Sequence, residues 1–288
     1  MRPRPVLREA LPASRRRLGW LLAALIGLGT LPGWSPAADP AATPSPGAPG
    51  STDPTVPVKG LFISLAGSPG VGKTTHGERL ARRYGIPHIS VGKILRQEVA
   101  ARTALGQQAA PYVQKGELVP TSLIASTVRN RLSSPDCRNG FILDGYPRKL
   151  DDLGTLEGIL SDLGIPGLRI VGIEVDPAVV IERMRHRRVC ERGHEFDLKQ
   201  RPPKVSSRCD LDGRPLGPRA DDTPEAIRRR FQVFAQETTP VLALFGRRGD
   251  YHPVNGDGSI DEVFHRLAAV IDRLGAEPSP RKPDAHRR

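Results

Sequence analysis

The stretch that most constrains this chain is a short apolar run, Leu61-Phe-Ile-Ser-Leu-Ala66, that passes directly into Gly67-Ser68-Pro69-Gly70-Val71-Gly72-Lys73-Thr74-Thr75. The run predicts a buried strand over 61–66, and the amphipathic residues beyond it predict a helix over 73–84. Between them lies a G-x-x-x-x-G-K-T loop. Its glycines let backbone N–H groups turn inward around phosphate oxygens, and the helix N-terminus adds partial positive charge. Lys73 then bridges toward the outer phosphates, and a Thr74 or Thr75 hydroxyl is placed for Mg²⁺. A glycine-rich turn with an incidental lysine would not need a strand before it and a helix after it.

The rest of residues 60–275 alternates in the same way. Strands are predicted at 87–90, 140–143, 168–175 and 250–254. Helices are predicted at 93–102, 107–115, 121–132, 149–163, 177–186, 224–246 and 260–274. Buried strands alternating with amphipathic helices give a three-layer α/β fold on a five-stranded parallel sheet, with ligands beyond the carboxyl ends of the strands. No internal repeat is visible.

Outside that region the composition changes. Residues 1–38 read as a secretory signal: Ser14-Arg15-Arg16-Arg17 precedes an apolar run over 18–31, with small residues at Ser35, Ala37 and Ala38. The arginines after Ser14 fit a twin-arginine leader and hence export or anchoring, while a mis-assigned start codon would leave a cytoplasmic protein. Residues 39–59 hold six prolines and no apolar period, as a linker does, and 276–288 form a basic tail.

The formal charge of +12 suggests a polyanionic partner, and 35 of the 43 cations are arginine, whose planar fork matches phosphate geometry. No aromatic-interleaved basic sheet or recognition-helix pattern accompanies that charge, so no nucleic-acid partner is expected. Three cysteines are too few for a disulfide scaffold. Cys137, just ahead of the 140–143 strand, reads as a core thiol.

Two further patterns bear on phosphate chemistry. The strand Gly140-Phe-Ile-Leu143 ends at Asp144, continuing Gly145-Tyr146-Pro147-Arg148; an aspartate leaving a strand beside a phosphate loop can hold Mg²⁺, usually through water. Arg183, Arg187, Arg188, Arg219 and Arg228 to Arg230 form a series. Several guanidinium groups converging on a transferring phosphoryl group would stabilise its spread charge.

Together the phosphate loop, the run Gly140-Phe-Ile-Leu-Asp-Gly-Tyr-Pro-Arg148, Arg183-x-x-x-Arg187-Arg188 and Arg219-Ala-Asp-Asp222 with Arg230 resemble the adenylate kinase family of nucleoside monophosphate kinases, in its long bacterial form, over residues 61–274. The resemblance implies the Mg²⁺-dependent reaction ATP + AMP ⇌ 2 ADP. It also implies a monomeric kinase core at 60–275 with two mobile insertions, one over the monophosphate at about 90–119 and a LID at about 183–220, and no stable protein partner. Carried over residue by residue, AMP meets Ser90, Arg96, Gly116, Glu117, Leu118, Val119, Gly145, Arg148 and Asp152. ATP meets Gly67, Ser68, Pro69, Gly70, Val71, Gly72, Lys73, Thr74 and Thr75 of the loop, with Arg183 and Gly258. The catalytic set is Lys73, Arg148, Arg187, Arg219 and Arg230, with Asp144 and Thr74 toward Mg²⁺.

The chain departs from the family in four places. Thr74 replaces the glycine usual after the loop lysine, which restores the general phosphate-loop pattern. Asp152 stands where the family reads adenine with glutamine; an ionised aspartate only accepts hydrogen bonds, so it can take the adenine amine or favour guanine, and weakened discrimination for AMP is expected. Val91 and Lys93 replace a threonine and an aspartate on the monophosphate side. In the LID, where some members hold zinc in two C-x-x-C pairs, Cys190, His194, Cys209 and Asp212 offer an S₂NO set for zinc, against a metal-free flap held by hydrogen bonds. The LID segment 183–219 carries a net +6 by itself, so half of the +12 lies on the expected moving part.

Overall fold

The computed structural model describes residues 60–277, so the leader-like segment, the proline-rich linker and residues 278–288 lie outside the described residues. In chain order the elements are β1 (Leu61–Ala66), α1 (Lys73–Tyr84), β2 (His88–Ser90), α2 (Val91–Ala100), α3 (Ala104–Lys115), α4 (Thr121–Leu132), β3 (Gly140–Asp144) and α5 (Leu150–Asp162). Then come β4 (Arg169–Glu174), α6 (Pro177–His186), the hairpin β5 (Arg187–Val189) and β6 (Glu195–Asp197), α7 (Pro224–Val233), α8 (Thr239–Arg248), β7 (Tyr251–Asn255) and α9 (Ile260–Ala276). No helix among them is long and apolar enough to cross a membrane.

Five strands form one parallel sheet in the order β2-β3-β1-β4-β7. Alternation along β1 explains the two apolar layers. Leu61, Ile63 and Leu65 pack with Leu80 and Tyr84 of α1 and with Phe264, Leu267 and Ile271 of α9. Phe62 faces the other way, into Phe141, Val128, Leu132, Leu156 and Ile159. Ser64 interrupts the pattern, and its buried hydroxyl donates to the Tyr146 carbonyl at 2.8 Å, tying β1 to the loop that follows Asp144. The register sets Leu65 beside Asp144, Ser90 beside Asp144, and Ala66 beside Gly172. The phosphate loop and the Asp144 loop therefore leave the sheet at the same edge, where a parallel sheet receives ligands.

Element bounds differ from expectation where caps decide them. Helix α2 starts at Val91 rather than 93 because the Ser90 hydroxyl accepts from the Lys93 amide, and α3 starts at Ala104 because Thr103 caps the Gly106 amide. The helix expected over 224–246 is broken by a π segment at Phe234–Thr238, where the Thr238 hydroxyl donates to the Arg148 carbonyl at 2.9 Å. The flap begins at Arg187, so Arg183 lies on α6 itself. The hairpin β5–β6 has no counterpart among the expected elements: three-residue strands in a polar, charged segment carry no readable period.

Candidate active site

The phosphate loop is forced into its shape by contacts a side chain would prevent. A Cβ on Gly67, where φ is +140°, would lie 2.6 Å from the Ile173 carbonyl oxygen, and Gly72 caps α1 in the left-handed region. Gly70, at the outer turn, is pressed against α6: a Cβ there would lie 2.8 Å from side-chain carbons of Val180 and Met184. Val71, buried in the core, anchors the loop beside it. Lys73 arches back over the loop, its Nζ donating to the carbonyls of Gly67 at 2.8 Å and Ser68 at 3.0 Å. Burial lowers its pKa to about 8; Asp144 supports the cation while Arg148, Arg187 and Arg219 oppose it.

Thr74 Oγ1 donates to Asp144 Oδ2 at 2.9 Å, so the loop and the end of β3 meet as the sheet register requires. His88 on the neighbouring strand faces the same oxygen at 3.6 Å, beyond hydrogen-bond length. Burial works against a charged carboxyl here, but His88 and Lys73 outweigh it and hold Asp144 at about 2. A permanent carboxylate beside a threonine hydroxyl is an oxygen donor set of the kind Mg²⁺ takes.

One cavity of about 270 Å³ gathers most of the residues expected at the site. Pro69, Gly70 and the rest of the loop to Thr75 line it together with Asp144, Arg183 and Gly258. Arg183 Nη2 donates to the carbonyls of Gly256 at 3.2 Å and Gly258 at 3.4 Å. The same lining holds Ser90, Arg96, the 116–119 loop, Gly145, Arg148 and Asp152. Arg229 pairs with Glu117 at 3.3 Å, linking α7 to that loop. Gly67 and Ser68 lie behind the wall and contribute the carbonyls that hold Lys73.

Asp152 lies on this wall but is only 2% exposed, and both its oxygens are already engaged. Oδ2 accepts from the amides of Arg148 at 2.9 Å and Lys149 at 3.2 Å, and Oδ1 from the Thr121 hydroxyl at 2.6 Å. It therefore caps α5 and fixes the Arg148 backbone, leaving one oxygen with a spare lone pair.

The flap brings its own charges to the same cavity, which Arg187, Glu195, Phe196 and Arg219 all line. Two adjacent aspartates organise the arginines. Arg187 Nε donates to Asp222 Oδ2 at 2.8 Å; Arg219 pairs with Asp221 at 2.8 Å and Asp222 at 3.0 Å; Arg230 donates to Asp222 at 2.8 Å and also meets Asp221. Burial disfavours both aspartates as anions, yet the surrounding arginines hold them well below the usual carboxylate range. Burial and Arg230 lower Arg148 to about 10, and burial and Arg219 do the same to Arg96. An anionic ligand would relieve that crowding.

At the flap, the ligand atoms of Cys190, His194, Cys209 and Asp212 all lie within 4.8 Å of one another. His194 Nδ1 is 3.3 Å from Cys190 Sγ, from Cys209 Sγ and from Asp212 Oδ2. Burial and Asp212 push the Cys209 thiol up to about 11. Two short turns present the cysteines, closed by Gly193 N to Cys190 O and Gly213 N to Cys209 O, both 2.8 Å. Cys137 is elsewhere: buried, with Arg131 donating to its sulfur at 3.1 Å.

A family model described as adenylate kinase matches residues 65–250. The chain belongs to the adenylate kinase family. It is 42% identical over 216 residues to the adenylate kinase of Bacillus subtilis (strain 168), covering 75% of this chain and 98% of that protein. It is 39% identical over 214 residues to that of Thermodesulfovibrio yellowstonii, covering 74% and 100%, and 37% identical over 213 residues to that of Methanococcoides burtonii, covering 74% and 99%. As a member of this family the chain is a nucleotide-binding phosphotransferase.

Some side chains that the fold brings into the adenylate kinase site have no assigned role in the sequence reading. Asp221 and Asp222 enter it only as part of a motif, although a paired acid between arginines is a usable signal. His88 and Glu195 carry no local signal, because what matters about them is which strand end or flap they face.

Proposed function

We propose that the chain transfers the terminal phosphoryl group of ATP to AMP, giving two ADP. The observation that carries this is one cavity lined together by Lys73, Asp144, Arg96, Arg148, Arg187, Arg219 and Arg230. An AMP phosphate oxygen forms the new bond to the γ-phosphorus as the bond to the β–γ bridging oxygen breaks, and the electron pair leaves on the β-phosphate. The acceptor oxygen is already anionic, so no general base is needed; the protein's work is positioning, charge stabilisation and exclusion of water.

In this reading the loop amides and Lys73 hold the ATP phosphates, and Arg183 with Gly258 borders the ATP end. Arg96 and Arg148 hold the AMP phosphate. Arg187, Arg219 and Arg230 neutralise the group in flight, their forks held in register by Asp221 and Asp222. Thr74 and Asp144 would hold Mg²⁺, the aspartate through water. When bound, that ion supplies charge neutralisation across the transferring phosphates. The flap cluster fits structural zinc in donor type and spacing, with Cys190, Cys209, His194 and Asp212 closing the hairpin.

A coupled assay of ADP formed from ATP and AMP tests the reading. Activity is expected with Mg²⁺ and is expected to fall about 10²- to 10³-fold in Arg148→Ala, the loss typical of one preorganised electrostatic partner. ATP turnover without AMP dependence would overturn it. Metal analysis finding less than about half an equivalent of zinc would remove the flap assignment.

A further inference from the structure

Glu195 opens the second strand of the flap hairpin and lines the cavity that also contains Lys73, Arg96 and Arg148. Its Oε1 is 3.3 Å from Arg219 Nη1, with the two side chains 23% and 14% exposed. Arg219 Nη2 donates to Asp222 and its Nε lies 2.8 Å from Asp221 Oδ1 as an ion pair, and Nη1 is the arm that Glu195 holds. Arg187 and Arg96 line the same cavity. Asp221 and Asp222 precede α7 at the base of the flap, each bridging two or more arginines. Glu195 instead rides on the hairpin and makes one such bond.

A carboxylate and a phosphate offer a guanidinium the same charged oxygens. We propose that Glu195 is a positioning residue, an internal anion that engages Arg219 within the flap and holds its guanidinium in the nucleotide-free enzyme, and that incoming phosphoryl groups displace it from Arg219. The proposal rests on the reading of Arg219 as a phosphate-binding residue. It has a signature that a merely structural side chain lacks. Removing the charge strengthens nucleotide binding, because the phosphate gains an unengaged Nη1 and loses a like-charged neighbour, whereas loss of a merely structural contact would weaken it.

The test uses the full chain as wild type, Glu195→Gln, Glu195→Thr and Arg219→Ala. ADP affinity is measured by calorimetry, with metal content determined for each variant. Both Glu195 variants are expected to bind ADP about fivefold more tightly, the size of one partly screened ion pair, with metal content equal to wild type. ADP binding that is unchanged or weaker overturns the proposal. If Arg219→Ala weakens ADP binding while Glu195→Gln does nothing, only the Glu195 proposal falls; if Arg219→Ala leaves ADP binding unchanged, the phosphate reading of Arg219 falls with it.

Discussion

Lys73 must be a cation in a place where burial works against the charge, and this sets its pH behaviour. With a pKa near 8 in the folded chain against 10.5 ordinarily, the folded form binds fewer protons than the unfolded form between those values, so this group makes stability rise with pH across that window. Phosphate binding needs the protonated form. The kcat/KM for ATP is therefore expected to fall above about pH 8 while kcat holds further up, since bound phosphates support the cation; pH profiles of the two constants check this. Asp144 also makes stability rise with pH, over a lower window. Its folded pKa is depressed, so its contribution is present above about pH 4 and is lost as pH falls toward 2. The sequence reading has Asp152 face the base as a free acceptor, and the fold instead commits it to three internal donors. Asp152→Ala should cost about 1–3 kcal/mol in chemical denaturation, because it leaves two amides and a hydroxyl unpaired. Whether its remaining lone pair also relaxes acceptor choice is read from a panel of monophosphates: a strict AMP preference that Asp152→Gln leaves unchanged would end that expectation.

Among the elements, the flap depends most on contacts between residues far apart in sequence. Its hairpin has three-residue strands and a small apolar cluster of Cys190, Phe196 and Cys209, so little but the four-donor cluster and the arginine–aspartate network holds it. On the zinc reading of that cluster, a strong chelator is expected to loosen the flap, seen as faster proteolysis within residues 190–213, while α1 and the sheet stay protected. Asp222 joins Arg187, Arg219 and Arg230 at once. Asp222→Asn keeps the shape but removes the shared charge; kcat/KM is expected to drop about 10²-fold, the cost of misplacing reacting groups by an ångström or so, with the sheet intact by circular dichroism. The helix broken at Phe234–Thr238 belongs to the same scale. Its apolar period reads as continuous, and only the pull of Thr238 toward the Arg148 backbone shows why it widens there.

At the scale of the whole molecule, the two apolar layers on the sheet give the site a rigid floor. Leu80 is fully buried between β1 and α9, and Leu80→Ala is expected to cost about 2–5 kcal/mol in urea unfolding. The folded fraction should keep the wild-type KM for ATP, since the side chain touches the loop only through the core. The charge surplus also resolves at this scale. Two of the flap's cations, Arg187 and Arg219, lie against Asp221 and Asp222, so part of what looks in the sequence like a surface for polyanions is a cationic pocket already partly neutralised from inside.

The order of strands and helices, the phosphate loop and the Asp144 turn were legible in the sequence, because each is set by local periodicity, glycine freedom and capping within a few residues. The same holds for the donor types at Cys190, His194, Cys209 and Asp212. What the tertiary structure decided is which charges meet. The engagement of Asp152 by Thr121, of Arg219 by Glu195 and of three arginines by Asp222 depends on strand register and on where the flap lies. Those are set by long-range packing, and no local pattern of residues encodes them.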